Sequence, residues 1–361
     1  MLGSILVFLL VLSILVIVHE LGHFIMARRA GVLVEEFGFG LPPRLFGKKI
    51  GETLYSINAL PFGGFVKLHG ENTEESVSYP KRAFLNKKPR TRVGIIVAGV
   101  VMNFLLAVSA FAVVYSFAGI PKETGEVKVL EIAQGSPAQI AGIIVGDVVK
   151  KVDNKEVTKV EDFVNYVEEK KGKRVILELE SKKITLTPRE NPPEGQGPLG
   201  VTISTTEIYY PPKWQRPFVG AYYGFKEALF WGKTVALGFA TLIVQLFGGK
   251  VPQDLAGPVG IFAITSAAAK VGIVALINFI GILSVNLAIL NILPFPALDG
   301  GRLLFIGIEK VIGRKVLPKI EAAIHAVGMI ILLLLLLAIT AHDIKRVIVS
   351  GGFAGFLNSI K

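Results

Sequence analysis

Four stretches of this chain, residues 5–27, 93–119, 271–293 and 323–340, are apolar for about the 20 residues a helix needs to cross a bilayer. No other feature restricts the fold as much. In hydrocarbon a segment must satisfy its own backbone hydrogen bonds, so each stretch has to be helical. The chain is 52% hydrophobic with mean hydropathy +0.58, too apolar for an ordinary soluble enzyme. A fifth stretch, residues 234–247, runs about 14 residues and follows Lys226, Glu227 and Lys233, which are interleaved with Phe225, Phe230 and Trp231. That length suits an amphipathic or interfacial helix lying against the membrane rather than crossing it. The expected class is a polytopic α-helical membrane protein with four transmembrane helices.

The net charge of +11 raises nucleic acid as a partner, but its distribution argues against one. Residues 28–92 carry twelve Lys/Arg against six Asp/Glu, with six of the basic residues packed into 81–92. Residues 122–216 carry fifteen of each sign. Basic excess beside apolar segments is the positive-inside pattern and predicts contact with anionic lipid; no basic stripe with interleaved aromatics is present. The basic loop is therefore expected on the cytoplasmic side and the neutral insert outside. Cysteine is absent, which excludes disulfides and Cys-ligated metals. The first apolar run lacks a basic n-region and a small-x-small cleavage site before His19, so it reads as a retained helix rather than a signal peptide.

That same run, from Ile5 to Met26, contains His19-Glu20-Leu21-Gly22-His23. Ionisable groups are costly in hydrocarbon and call for a functional reason. Residues i and i+4 share a helical face, so both imidazoles can bind one Zn2+ while Glu20 activates a water. A catalytic zinc usually takes a third protein ligand. His69, His325 and His342 read as structural or interfacial. Asp299, in Asn291-Ile292-Leu293-Pro294-Phe295-Pro296-Ala297-Leu298-Asp299-Gly300-Gly301, is the best candidate, since two prolines break the helix there and Gly-Gly permits a sharp turn. The plainer alternative for an Asp before Gly-Gly is a turn or a helix N-cap. If 234–247 does not cross, the third span runs inward and brings Asp299 to the side of His19 and His23; if it does cross, Asp299 falls on the opposite face and cannot be a ligand.

Two further regions stand out. Residues 121–206 form a soluble α+β insert whose Gly135-Ser136-Pro137-Ala138 and Gly142-Ile143-Ile144-Val145-Gly146-Asp147 elements resemble a PDZ domain of the circularly permuted bacterial kind. There, Pro198-Leu199-Gly200-Val201 matches the carboxylate-binding loop, giving Leu199, Gly200 and Val201 as candidates to hold a peptide C-terminus. Residues 55–68 read as strand, Pro/Gly turn, strand, and are too apolar for a solvated loop. Such backbone is tolerated at membrane depth only against protein or a cavity, so this membrane-associated β-hairpin is expected to offer an edge to an unwound peptide through Ile57, Asn58, Gly63 and Gly64.

Together, HELGH in a first transmembrane helix, the insert and NILPFPALDGG resemble the site-2 protease family of intramembrane zinc metalloproteases, and most closely the bacterial regulator-of-sigma-E type. Gly99-Val100-Val101-Met102-Asn103 matches the family's GxxxN motif. The resemblance implies one Zn2+ held by His19, His23 and Asp299, with Glu20 as general base. It also implies Asn291 near the substrate, Asn103 near the cavity, and a multi-pass protein of the bacterial cytoplasmic (inner) membrane, its zinc toward the cytoplasm. Substrates would be single-span membrane proteins of anti-sigma-factor or remnant signal-peptide type. The segments divide as 1–120, 121–206, 207–270 and 271–361. Two other readings are a membrane-anchored zinc protease acting on soluble proteins and a catalytically silent scaffold presenting a PDZ domain.

Overall fold

The computed structural model describes residues 2–71, 78–193, 195–248 and 257–358. The chain divides into two compact units, Met1–Ala118 with Trp214–Lys361, and Gly119–Lys213. In chain order the first elements are α1 (Leu2–Arg29), β1 (Val34–Ile50), β2 (Thr53–Leu68) and α2 (Pro89–Ala118). The second unit holds β3 (Ile120–Ile132), α3 (Pro137–Ile140), β4 (Val148–Val152), β5 (Lys155–Glu156), α4 (Val160–Glu168), β6 (Val175–Leu179), β7 (Lys183–Leu186) and β8 (Val201–Tyr209). The chain then returns to the first unit through α5 (Arg216–Phe247), α6 (Pro258–Val271), α7 (Ile273–Ile292), α8 (Asp299–Ile312), α9 (Pro318–Val349) and α10 (Phe353–Asn358).

Helix ends follow the local chemistry. Gly31 at φ 66° closes α1 after Arg28 and Arg29, while Pro89, Pro258 and Pro318 open α2, α6 and α9, where a missing N–H costs nothing. The long helices are apolar all round. Leu333 to Leu337 of α9 are each 46–65% exposed, a surface that only hydrocarbon accommodates. Among the described residues, five helices, α1, α2, α5, α7 and α9, are long and apolar enough to cross a membrane by length and composition.

Helix α5 corrects the expectation for 234–247. That stretch is the second half of one 32-residue helix starting at Arg216. Lys226 and Glu227, which seem to end the apolar run, are absorbed into its packing. Glu227 accepts hydrogen bonds from Tyr115 of α2 (2.8 Å) and Trp231 (3.0 Å), and Lys226 lies over the rings of Tyr222 and Tyr223. A partner 112 positions upstream is invisible to a hydropathy window. The direction of α7 consequently does not rest on counting crossings. Phe262 and Ser266 of α6 pack on Phe8 (ring centroids 5.6 Å apart) and Ser4 (3.0 Å) at the start of α1. Helix α7 begins beside that end and finishes with Asn291 3.3 Å from His19, so α1 and α7 run parallel.

The sheet between α1 and α2 also differs from the simple hairpin expected over 55–68. Pro42-Pro43 divides β1, and the 61–63 bend divides β2, because proline cannot donate to a ladder. Residues 36–39 then pair with 54–57 on one side and with 64–67 on the other, while 44–50 pair with 53–58. The two arms of the expected hairpin therefore flank residues 36–39 rather than each other. The resulting edges are 44–50 and 64–68. At the base, Phe24, Val32, Val34, Leu68, Phe84, Ile95 and Ile306 form one buried cluster. His69 Nε2 accepts from the Tyr79 N–H (3.2 Å), so its Nδ1 proton goes to Glu35 (2.7 Å). Burial opposes the charge on Glu35, but hydrogen bonds from His69 and Lys67 outweigh it and hold this carboxyl below its usual range.

In the second unit the strands run in the order β7-β6-β4-β3-β8, all antiparallel, with β5 pairing only with β4. Val127, Val149, Val152, Phe163, Val175, Leu177 and Leu199 fill the core. Leu199 is thus a core residue. Gly200, at φ 69°, packs on Ser136 and gives its N–H to Gly197 (3.0 Å), and Val201 pairs with Ile132 at the start of β8. One of the amides expected to face a carboxylate is therefore already engaged within the loop.

Candidate active site

Helix geometry puts His19 and His23 on one face of α1, six to ten residues before Arg29, or about 9–15 Å from its basic end. Their rings face α2, and the two backbones come close there. A Cβ on Gly22 would lie 2.2 Å from the Ala98 carbonyl oxygen, and one on Gly99 would lie 2.5 Å from His23 Nε2 and 2.7 Å from His19 Cε1. Only glycine at both positions lets the helices cross at this distance, with the imidazoles filling the gap.

The third group arrives from the far end of the chain. Helix α7 stops before Pro294, and the following loop folds back so tightly that a Cβ on Gly300 would lie 2.0 Å from the Leu293 carbonyl oxygen. Ala297 adopts φ 74°, an uncommon conformation for a residue with a side chain, and its N–H donates to Nδ1 of His325 on α9 (2.9 Å). The helix that follows has Leu298 as N-cap, and Asp299 is its first residue. Asp299 is therefore neither a turn residue nor a cap. Its Oδ2 lies 3.0 Å from His19 Nε2 and 3.1 Å from His23 Nε2, and those two nitrogens are 3.1 Å apart.

The donor chemistry tests whether a metal fits. His23 Nδ1 faces the Ile95 carbonyl oxygen at 2.9 Å, which can only accept, so Nδ1 carries the proton and neutral His23 offers a lone pair at Nε2. His19 Nε2 and the Asp299 carboxylate meet that lone pair at the same point. Three acceptor atoms this close need a cation among them, either a proton or a metal ion. Tetrahedral Zn2+ with bonds near 2.0 Å separates its ligand atoms by about 3.3 Å, close to what these side chains provide. Behind His19, the Asn103 amide lies 3.3 Å from Nδ1 with its Nδ2, while its buried Oδ1 has no partner among the described residues. Nδ1 must hold a proton if Nε2 binds metal, so the amide turned end for end supplies the required acceptor. Asn103→Leu is accordingly expected to weaken zinc binding about 10–100-fold, measured by competition with a chelator.

Glu20 is half-buried and accepts no hydrogen bond among the described residues. It lines a cavity of about 220 Å3 together with His23, Asp299, Phe65, Glu71 and Arg302. The edge 64–68 forms one wall: a Cβ on Gly64 would lie 3.9 Å from Glu20 Cγ, and Gly63, at φ 81°, turns the chain there. Asn291 Nδ2 is 3.3 Å from His19 Nε2, beside the convergent donors. Asn58 is spent elsewhere, donating to the Phe39 and Gly40 carbonyls at 3.2 Å, and Ile57 is exposed on the sheet. A larger groove along α8, about 710 Å3 and lined by Ile292, Leu303, Leu304, Ile308 and Val311, holds no ionisable group. The chemistry lies in the smaller cavity.

Sequence reasoning passed over Gly22, Glu71 and Arg302, and read His325 as structural or interfacial without saying what it holds. Gly22 stands within HELGH itself, but its requirement comes from Ala98 on another helix. His325 steadies the loop that carries Asp299 from 28 positions away.

The family model described as peptidase family M50 matches residues 7–335. A Clostridium acetobutylicum protein named "Putative zinc metalloprotease" is 36% identical over 348 residues, covering 94% of this chain and 97% of its own length. A Clostridium perfringens protein of the same name is 38% identical over 340 residues, covering 93% and 97%. Zinc metalloprotease RasP of Oceanobacillus iheyensis is 29% identical over 434 residues, covering 95% and 99%.

Proposed function

The chain belongs to peptidase family M50 and is a multi-pass membrane zinc metalloprotease, and from that premise we propose that it cleaves peptide bonds within transmembrane segments of single-span proteins. One observation carries this reading: His19, His23 and Asp299 converge at one point, and His23 and Asp299 line a cavity with Glu20, a carboxylate that accepts no hydrogen bond among the described residues, and with a strand edge. His19, His23 and Asp299 hold the zinc. When bound, the ion supplies Lewis-acid polarisation of the scissile carbonyl and acidification of the attacking water.

The chain's own residues do the rest. A peptide bond in a helix is shielded by its hydrogen bonds, so the substrate must unwind before attack. Residues 64–67 offer the unwound stretch a partner strand, replacing the hydrogen bonds it gives up. Glu20 takes the proton from the attacking water and returns it to the leaving amine. The Asn291 side-chain amide donates to the oxygen on which charge develops. Asn103 fixes the His19 tautomer and the Ile95 carbonyl fixes that of His23.

Positive-inside charge puts the zinc toward the cytoplasm of a bacterial inner membrane and the second unit outside. That unit acts as a PDZ domain: β8 is a sheet edge able to take a peptide C-terminus or to screen bulky substrates. Anti-sigma factors already trimmed outside the membrane and leftover signal peptides fit such a path. The test uses the purified full-length chain in bilayer discs with single-span substrates, with and without a large outer domain, in zinc and in chelator. Cleavage of the trimmed substrate, abolished by chelator, is expected. Cleavage of soluble casein alone would overturn the proposal.

A further inference from the structure

The cavity contains one ion pair that the proposed chemistry does not use. Arg302 stands three residues after Asp299 on α8, so the two share a face of that helix. Its Nη1 pairs with Oε1 of Glu71, and both side chains line the cavity with Glu20 and Asp299. The other oxygen of Glu71, Oε2, accepts the N–H of Leu68 at 3.2 Å, and the Glu71 N–H returns to the Leu68 carbonyl at 3.2 Å. Leu68 is the last residue of β2 and of the edge 64–68. One carboxylate thus holds the end of the strand with one oxygen and the helix carrying Asp299 with the other.

We infer that Glu71 and Arg302 form a register clamp, positioning residues that fix the peptide-binding edge relative to the metal ligands and so choose which bond is cut. The inference rests on the strand-addition reading above. A peptide added to a strand edge finds equivalent hydrogen bonds every two residues, so backbone pairing alone cannot choose between neighbouring registers. Side chains on a transmembrane segment are mostly apolar and interchangeable, which removes the usual second source of register. What remains is the rigidity of the edge itself. At its start, Gly64 lies against Glu20 and Ile17 of α1; at its end, Glu71 ties Leu68 to α8. Without the second tie the strand keeps its ladder to residues 34–39 and the buried cluster that holds Leu68 with Ile306, but loses the charged link that fixes its far end against the first turn of α8, where Asp299 stands. Side-chain exposure of 38% for Arg302 and 16% for Glu71 leaves the pair partly shielded, where a charged hydrogen bond holds geometry better than one in open water.

The test uses full-length protein, wild type, Glu71→Gln, Arg302→Gln and the double variant, with two readouts. Hydrogen exchange over residues 64–69 needs no substrate, and faster exchange is expected in each single variant. Mass spectrometry of products from a single-span substrate is expected to change from one cleavage position to several, spaced by two residues, with kcat/KM down about 10–100-fold. Zinc content should stay unchanged, and the double variant should be no worse than either single one, because both act through one contact. Unchanged exchange, a single unshifted cleavage position or loss of zinc would each overturn the clamp. Failure of the wild type to cut any single-span substrate would instead overturn the reading of function, leaving the exchange result to judge the tie between strand and helix.

Discussion

Glu20→Gln is expected to abolish proteolysis while leaving the zinc in place. The substitution keeps the size and shape of a side chain that makes no hydrogen bond among the described residues, so the crossing of α1 and α2 has no reason to change. It removes only the capacity to take and return a proton. Loss of a general base costs about 10²–10⁴ in rate, or roughly 3–5 kcal/mol in the barrier, which in a steady-state assay reads as no activity. Zinc content measured on the same preparation separates this from structural damage, since His19, His23 and Asp299 are untouched. Asp299→Ala supplies the contrast: it deletes one of three donors and should lose zinc and activity together. Full activity in Glu20→Gln would mean another group moves the proton. Loss of zinc would make Glu20 a ligand. If Glu20→Gln, Asp299→Ala and wild type all behaved alike in vivo, the silent-scaffold alternative would gain ground.

What could be read along the sequence and what could not divide by distance in the chain. The apolar runs mark α1, α2, α7 and α9, because a bilayer imposes its length requirement on each segment separately. Their ends extend further than hydropathy indicates: α9 begins at Pro318, not at 323, since amphipathic turns continue a helix past the apolar core. The spacing of His19 and His23 is a local fact of helix geometry, and the Pro and Gly residues around Asp299 announce a broken helix. Nothing local shows that residues 36–39 insert between the two arms of 55–68, because strand pairing is decided by an upstream segment. The length of α5 depended on Tyr115, and the role of Glu71 depends on Arg302, 231 positions away. Gly99 was legible as part of a motif; the reason for it was not.

That reason yields the second large effect. Gly99→Val is expected to empty the metal site, and Gly99→Ala to weaken it. A Cβ at position 99 would sit 2.5 Å from His23 Nε2 and 2.6 Å from its Cε1, inside any allowed contact, so something must move. Helix α2 cannot retreat without cost, for its own carbonyl at Ile95 and its Asn103 amide orient the two imidazoles. Helix α1 cannot retreat either without opening the packing of Gly22 on Ala98. The rings must then rotate, and rotation carries both Nε2 atoms away from Asp299. Overpacking of this kind costs about 1–3 kcal/mol, and disturbed metal orientation a further 10–100-fold in affinity. Gly3→Ala is the matched control, since nothing lies within 4 Å of a Cβ there and alanine favours the helix. Zinc content after purification and thermal unfolding with and without added zinc measure the outcome. Wild-type zinc retention in Gly99→Val would show that the imidazoles do not fill the space between the two backbones. Stabilisation by zinc that disappears in Gly99→Val but persists in Gly3→Ala would locate the ion at this crossing, where α1 and α2 come close only because both lack a side chain.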